Sequence, residues 1–143
     1  MPNVRALNKQ KYNISKHRFR ELYYFCLQYD EKQEELNDLR NSLKGVSYSD
    51  SPSSSGTPGD PTMKIAMKCA ALSNECNAIE EAAKMADPEL HNYILYAVTH
   101  EGITFEFLKM QKNIPCERDR YYDRRRKFYF VLDNMLRNKE ISK

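Results

Sequence analysis

The sequence predicts an all-α fold: a long antiparallel helical hairpin followed by a C-terminal helix-turn-helix. Three observations lead there. Ile65, Cys69, Leu72, Cys76, Ile79, Ala83 and Ala86 recur in an unbroken seven-residue register, the spacing of a helix that needs a helical partner. Residues 45–61, GVSYSDSPSSSGTPGDP, hold three of the four glycines and three of the six prolines. They separate that helix from the amphipathic stretch before it. Cys116–Leu136, CERDRYYDRRRKFYFVLDNML, runs without Pro or Gly, basic in its first half and apolar in its second. As a helix it would be about 30 Å long, with one end fit for docking on a core and the other for presenting positive charge.

The first fourteen residues are polar and basic, with Arg5, Lys9 and Lys11, and read as a flexible basic arm, residues 1–14. The hairpin follows over residues 15–86. Ser15 suits a helix N-cap. From it to Lys44 the pattern is helical, with Leu22, Cys26, Tyr29, Leu36 and Leu43 in a seven-residue register and Phe19, Tyr23 and Leu39 beside it. Gln33 and Arg40 interrupt this seam. A continuous helix of this length spans about 45 Å, too long for a small globule's core, and asks for a long partner. Residues 45–61 read as a flexible linker. Pro61 or Thr62 opens the partner helix, which runs to Ala86.

Residues 87–143 form the expected helix-turn-helix domain. Asp87 as cap with Pro88 at the first helical position marks a start. Leu90, Ile94, Ala97 and Val98 give its buried stripe, Tyr93 flanks it, and Gly102 ends it. Thr104 caps a short helix through Phe105, Phe107, Leu108 and Met110. Lys112–Pro115 is the turn, and Pro115 or Cys116 opens the basic helix. Phe128, Leu132 and Met135 are its core stripe, widened by Val131 and Leu136.

Composition limits the chemistry. The chain has 143 residues and a net charge of only +3. The distribution of charge is more telling: residues 102–143 carry eleven Lys or Arg against six Asp or Glu, whereas residues 15–44 and 62–86 are balanced. A local positive field of this kind suits a phosphate backbone. No Gly-rich phosphate loop with its lysine is present. His17, His91 and His100 lie in different elements, and Cys26, Cys69, Cys76 and Cys116 form no zinc spacing. The pairs Glu34–Glu35 and Glu80–Glu81 fall on outer faces without a catalytic complement. Neither enzyme activity nor a cofactor or metal is expected. Cys69 and Cys76, two turns apart on the packed stripe, are expected as core thiols. Cys116, near a helix start and beside Arg118, is a candidate for thiolate character, with capping or packing as the alternative.

A short helix, a tight turn and a basic helix together suggest DNA recognition. Arg118, Arg120 and Arg124 are the candidates for the major groove, where arginine can pair bidentately with guanine. Arg125, Arg126 and Lys127 are the candidates for phosphate contacts, and Tyr122 for packing or a backbone contact.

The segment GITFEFLKMQKNIPCERDRYYDRRRKFYFVLD resembles the C-terminal helix-turn-helix of small phage-encoded regulators of the ArpU and RinA type. Those are similar in turn to the sigma-factor domain that reads the promoter −35 element. The likeness covers about residues 87–136. It rests on Gly102, Thr104, Phe107 and Leu108, on Ile114 at the turn, and on Arg118 to Arg126. Lys109 and Met110 depart from it, standing where many members carry a small residue. The resemblance implies sequence-specific binding of double-stranded DNA and control of phage or prophage transcription in the cytoplasm of a bacterial host. Two other functions stay open: a small terminase-like DNA-packaging subunit, and a phage protein that binds and inhibits a host nucleic-acid enzyme. The partners expected are double-stranded DNA, a second copy in a homodimer, and host RNA polymerase or another host protein. No signal peptide or long apolar run points to a membrane.

Overall fold

The computed structural model describes residues 12–44 and 61–141, with side chains to residue 138. Every regular element among them is helical: α1 (Lys16–Leu27), α2 (Tyr29–Lys44), α3 (Pro61–Ala86), α4 (His91–Thr99), α5 (Phe105–Lys112) and α6 (Arg118–Ile141). The chain divides into two compact units, Met1–Tyr29 with Ala78–Lys143, and Asp30–Asn77. This division cuts across the expected hairpin instead of following it at residue 86.

The larger unit holds the main core. Phe19, Leu22 and Cys26 of α1 join Ala78, Ile79, Ala82, Ala83 and Ala86 of α3 in one buried cluster. Leu90, Ile94, Ala97 and Val98 enter it as the α4 stripe, with Phe105 and Leu108 from α5. Tyr121, Phe128, Tyr129 and Leu132 complete it from α6. The alanines leave room for close approach, while Leu22, Ile79, Ile94 and Leu132 are at most 1% exposed. Each such large apolar side chain stabilises the fold by ~1.5–3 kcal/mol on burial. α1 packs on α4 and α6, and α4 on α6. An edge-on contact of the Phe19 and Tyr129 rings, 4.8 Å between centroids, and an Arg18–Asp133 ion pair of 2.6 Å bind α1 to α6.

The smaller unit pairs α2 with the first part of α3. Lys32 bonds Glu75 at 3.0 Å and Lys68 bonds Glu35 at 2.6 Å. Positions rise along one helix as they fall along the other, the order an antiparallel pair produces. Leu36, Leu72 and Cys76 are its buried apolar residues. The register of α3 is therefore buried unevenly: Ile65 and Cys69 are half-buried, whereas Leu72, Cys76, Ile79, Ala83 and Ala86 are buried.

Three expectations change at this level. The helix from residue 16 to 44 is interrupted at Gln28, whose backbone (φ −85°, ψ 0°) lets its N–H reach Phe25 O at 3.3 Å. No Pro or Gly marks the break. It falls beside the unit boundary, where α1 belongs to the main core and α2 to the other unit. The expected arm ends too late: Tyr12 and Ile14 are buried, and the Tyr12 ring lies 5.6 Å from that of Phe130. Its first eleven residues, and residues 45–60 of the expected linker, lie outside the described residues, while Pro61 already belongs to α3. The helix expected from Pro88 begins at His91. Asp87 still caps the turn before it, its Oδ1 accepting from Glu89 N (3.0 Å) and Leu90 N (3.2 Å). Such drift at helix ends is ordinary.

Ser15 and Thr104 cap as their side chains predict. Ser15 Oγ accepts from Arg18 N and Thr104 Oγ1 from Phe107 N, both at 3.1 Å. No helix among the described residues is long and apolar enough to cross a membrane.

Candidate nucleic-acid interface

The sequence of α5, connection and α6 explains their local geometry. α5 stops at Asn113, which takes the left-handed conformation (φ 54°, ψ 46°) and donates its N–H to Leu108 O. Asparagine tolerates this region better than other residues with a side chain. Ile114 follows and is 1% exposed, with its N–H also on Leu108 O at 3.2 Å. This buried residue pins the connection to the core. Lys109 and Met110 point outward, Met110 being 78% exposed. Their size therefore crowds nothing in the core, and their departure from the resembled pattern is without steric consequence.

Six of the seven candidate residues, all but Lys127, separate into three groups on α6. Residues four apart share a helix face, and each group occupies its own. Arg120 and Arg124 turn toward Asp87. Arg120 reaches Asp87 Oδ2 through Nη2 (3.0 Å) and Nε (3.2 Å), and Glu89 through Nη1 (3.4 Å). Arg124 reaches the same Oδ2 through Nε at 3.2 Å and holds Asp123 at 2.6 Å. Asp87 thus uses one oxygen to cap the turn before α4 and the other to hold two arginines of α6. Its side chain is 6% exposed. Burial opposes its charge. The Arg120 hydrogen bond and charge, with the Leu90 and Glu89 amides, outweigh that and hold its carboxyl below the usual range.

Arg125 lies on the core side with Tyr121 and Tyr129, its guanidinium 6.0 Å from the Tyr129 ring centre. The remaining stripe is Arg118, Tyr122 and Arg126. Arg118 and Arg126 are exposed, and Tyr122 is half-buried with its ring edge-on to Tyr121 at 4.8 Å. Arg118 pairs with Glu106 of α5, with side chains 60% and 52% exposed. Exposed pairs of this kind are weak and exchange readily for other partners. Neither Arg126 nor Lys127 has a carboxylate partner among the described residues. Asp119 and Asp123 flank the stripe and temper its positive field.

Arg120 and Arg124, read from the sequence as groove residues, are thus bound to the protein itself. The carboxylates responsible lie on another element, and no pattern within α6 reveals them. Two cations escaped the sequence reading. Lys109 and Lys112 are exposed three residues apart on α5, and Lys112 Nζ lies 4.2 Å over the Tyr96 ring. Their signal was position on the shorter helix of the same motif.

Cys116 does not have the environment of a reactive thiol. Burial pushes its pKa up, and the charges of Arg120 and Lys109 do not reverse this. It is half-buried against the core. No disulfide joins Cys26, Cys69, Cys76 and Cys116. Among the described residues, no group of three or more His, Cys, Asp or Glu side chains is placed to hold a metal ion.

No protein-family model matches the chain, and comparison with curated proteins and with solved structures returns no significant match.

Proposed function

We propose that this chain is a sequence-specific double-stranded DNA-binding regulator of transcription, of the kind carried by phages and prophages. The carrying observation is the outward stripe Arg118, Tyr122 and Arg126 on the helix that follows a short helix and an Asn113 turn. In this reading the first turns of α6 meet base edges, with Arg118 as the base-reading candidate. Arg126, Lys127, Lys109 and Lys112 grip phosphates. Arg120 and Arg124 serve to seat α6 through Asp87, and Arg125 serves the core side. A homodimer that places two such helices about one DNA turn apart completes the arrangement.

Selection from a random duplex library tests the reading, followed by affinity measurements across a salt series. An enriched sequence is expected. Changing Arg118 and Arg126 together to Ala should lower the affinity and reduce the slope of log affinity against log salt by roughly 1, since Arg126 is the phosphate contact of the two and each such contact contributes about 0.9. A library that yields no enriched sequence, or a double variant with unchanged affinity and slope, refutes the proposal.

A second reading has its own observation. Met110 is 78% exposed on α5, and the exposed acids Glu117 and Asp119 stand among the arginines at the start of α6, a mixture that suits a protein partner such as host RNA polymerase or another nucleic-acid enzyme. Capture of one defined host protein after nuclease treatment, abolished by Met110→Glu, would favour it. A ring of eight or more subunits in light scattering would favour a DNA-packaging role instead.

A further inference from the structure

We propose that the outward face of α3 between Met63 and Asn77 is the contact between two copies of this chain, set antiparallel about a two-fold axis. The inference rests on the DNA-binding reading for its need of two copies, and it names the surface that joins them. The first observation is a face without charge. Ile65, Cys69, Leu72 and Cys76 form the half-buried to buried side of this part of α3. Around the helix from them stand Met63, Ala66, Met67, Ala70, Ser73, Asn74 and Asn77, all exposed except the half-buried Ser73. Met63 is 42% and Met67 66% exposed. No Lys, Arg, Asp or Glu occupies these positions over about four turns.

Two comparisons within the molecule set this face apart from an ordinary solvated one. Continued past Asn77, the same helical positions carry Glu80, Glu81 and Lys84, and the change falls at the boundary between the two units. The neighbouring α2 carries Asp30, Glu31, Glu34 and Asp38, all exposed. Charge is thus missing where the smaller unit has most need of cover, since its buried apolar residues are Leu36, Leu72 and Cys76. A helix apolar on both sides is ordinarily covered on both.

The chemistry of the face selects its occupant. A nucleic acid or an anionic lipid surface needs cations, and these positions supply none. Two copies related by a two-fold axis bring identical surfaces together. A face of one charge would repel itself there, and a neutral face does not. The side-chain sizes are self-complementary as well. With the axis between Met67 and Ala70, Met67 of each copy meets Ala70 of the other, and Met63 meets Asn74. Each flexible methionine then faces a smaller residue, as interdigitating helices require. Lys64, at the edge of the face, comes beside Ala71 of the other copy and meets no like charge.

Sedimentation equilibrium of the full chain without DNA, from low to high micromolar concentration, is the test. A reversible monomer–dimer equilibrium is expected, because one helix face is a small interface. Met67→Glu and Met67→Lys change an exposed position to residues of similar length that favour helix. Each alone should weaken the dimer about a hundredfold or more, by setting like charges across the axis. An equimolar mixture of the two should regain it as a heterodimer. Glu34→Lys, on the exposed side of α2, should leave it within about twofold of the original. An unaltered chain that stays monomeric, a dimer indifferent to either charge at residue 67, or a mixture that stays monomeric overturns the proposal. The duplex selection is scored separately. A monomer that enriches a sequence overturns this contact alone, and a dimer that obeys the charge swap but enriches none supports the contact and overturns the DNA-binding reading alone.

Discussion

Asp133 joins the two ends of the larger unit, and its removal allows a quantitative test of how α6 is held. Its side chain is 6% exposed and takes Arg18 Nε at 2.6 Å, while Arg18 is 20% exposed. Arg137, one turn later, adds bonds of 2.9 and 3.0 Å but is 58% exposed. Breaking a buried ion pair costs about 3–5 kcal/mol because one charge stays buried. Here Arg18 is partly wet and keeps Glu21 at 3.7 Å, so its stranded charge is partly resolvated. That moves the cost toward a charge-assisted hydrogen bond, ~2–3 kcal/mol. The exposed i,i+4 pair with Arg137 adds only ~0.3–0.5 kcal/mol. Asp133→Asn keeps the shape and removes the charge. It should lower stability by about 2–3 kcal/mol and the melting temperature by roughly 8–12 °C for a chain of this size. Urea titration followed by far-ultraviolet circular dichroism measures it, and a double-mutant cycle with Arg18→Met isolates the pair. A coupling energy above ~1.5 kcal/mol is expected. If the two substitutions add within about 0.5 kcal/mol, Asp133 does not hold α1 to α6 through Arg18.

Other expectations follow from the same residues. Asp87 has its pKa lowered in the folded chain, so its contribution is present above about pH 4, the ordinary carboxylate value, and is lost as pH falls through the folded value. Asp87→Asn should therefore start less stable at neutral pH and lose less on acidification, and parallel acid-unfolding curves would refute the Asp87 hub. Tyr121 has its pKa raised to about 12, so its contribution is complete below about pH 10 and lost as pH rises toward 12. Tyr121→Phe should flatten the stability curve over that interval, and an unchanged alkaline slope would contradict its burial. Asn113→Gly should be tolerated, whereas Asn113→Ala, forced into the left-handed region, should cost about 1–2 kcal/mol; equal melting temperatures for the two would argue against the turn geometry.

Local chemistry made much of this fold legible from residue order alone. The α3 register, the Ser15 and Thr104 caps, the Asp87 turn, the α4 stripe and the turn between α5 and α6 are all settled by neighbours a few positions apart. Helical periodicity and capping act over that range, so a reader of the sequence sees both partners at once. The all-helical class follows from these features together. Only the tertiary structure decided the rest. It broke the first long helix at Gln28, where no residue type announces a break, and drew Tyr12 and Ile14 into the core from an apparently polar arm. Above all it divided the arginines of α6. Asp87 lies 33 residues before Arg120, and Arg18 lies 115 before Asp133. A cluster of arginines on one helix looks uniform until the carboxylates brought by other elements reach it. Packing chooses which of those charges are neutralised within the protein and which face outward, because ion pairing depends on distance in space and not along the chain.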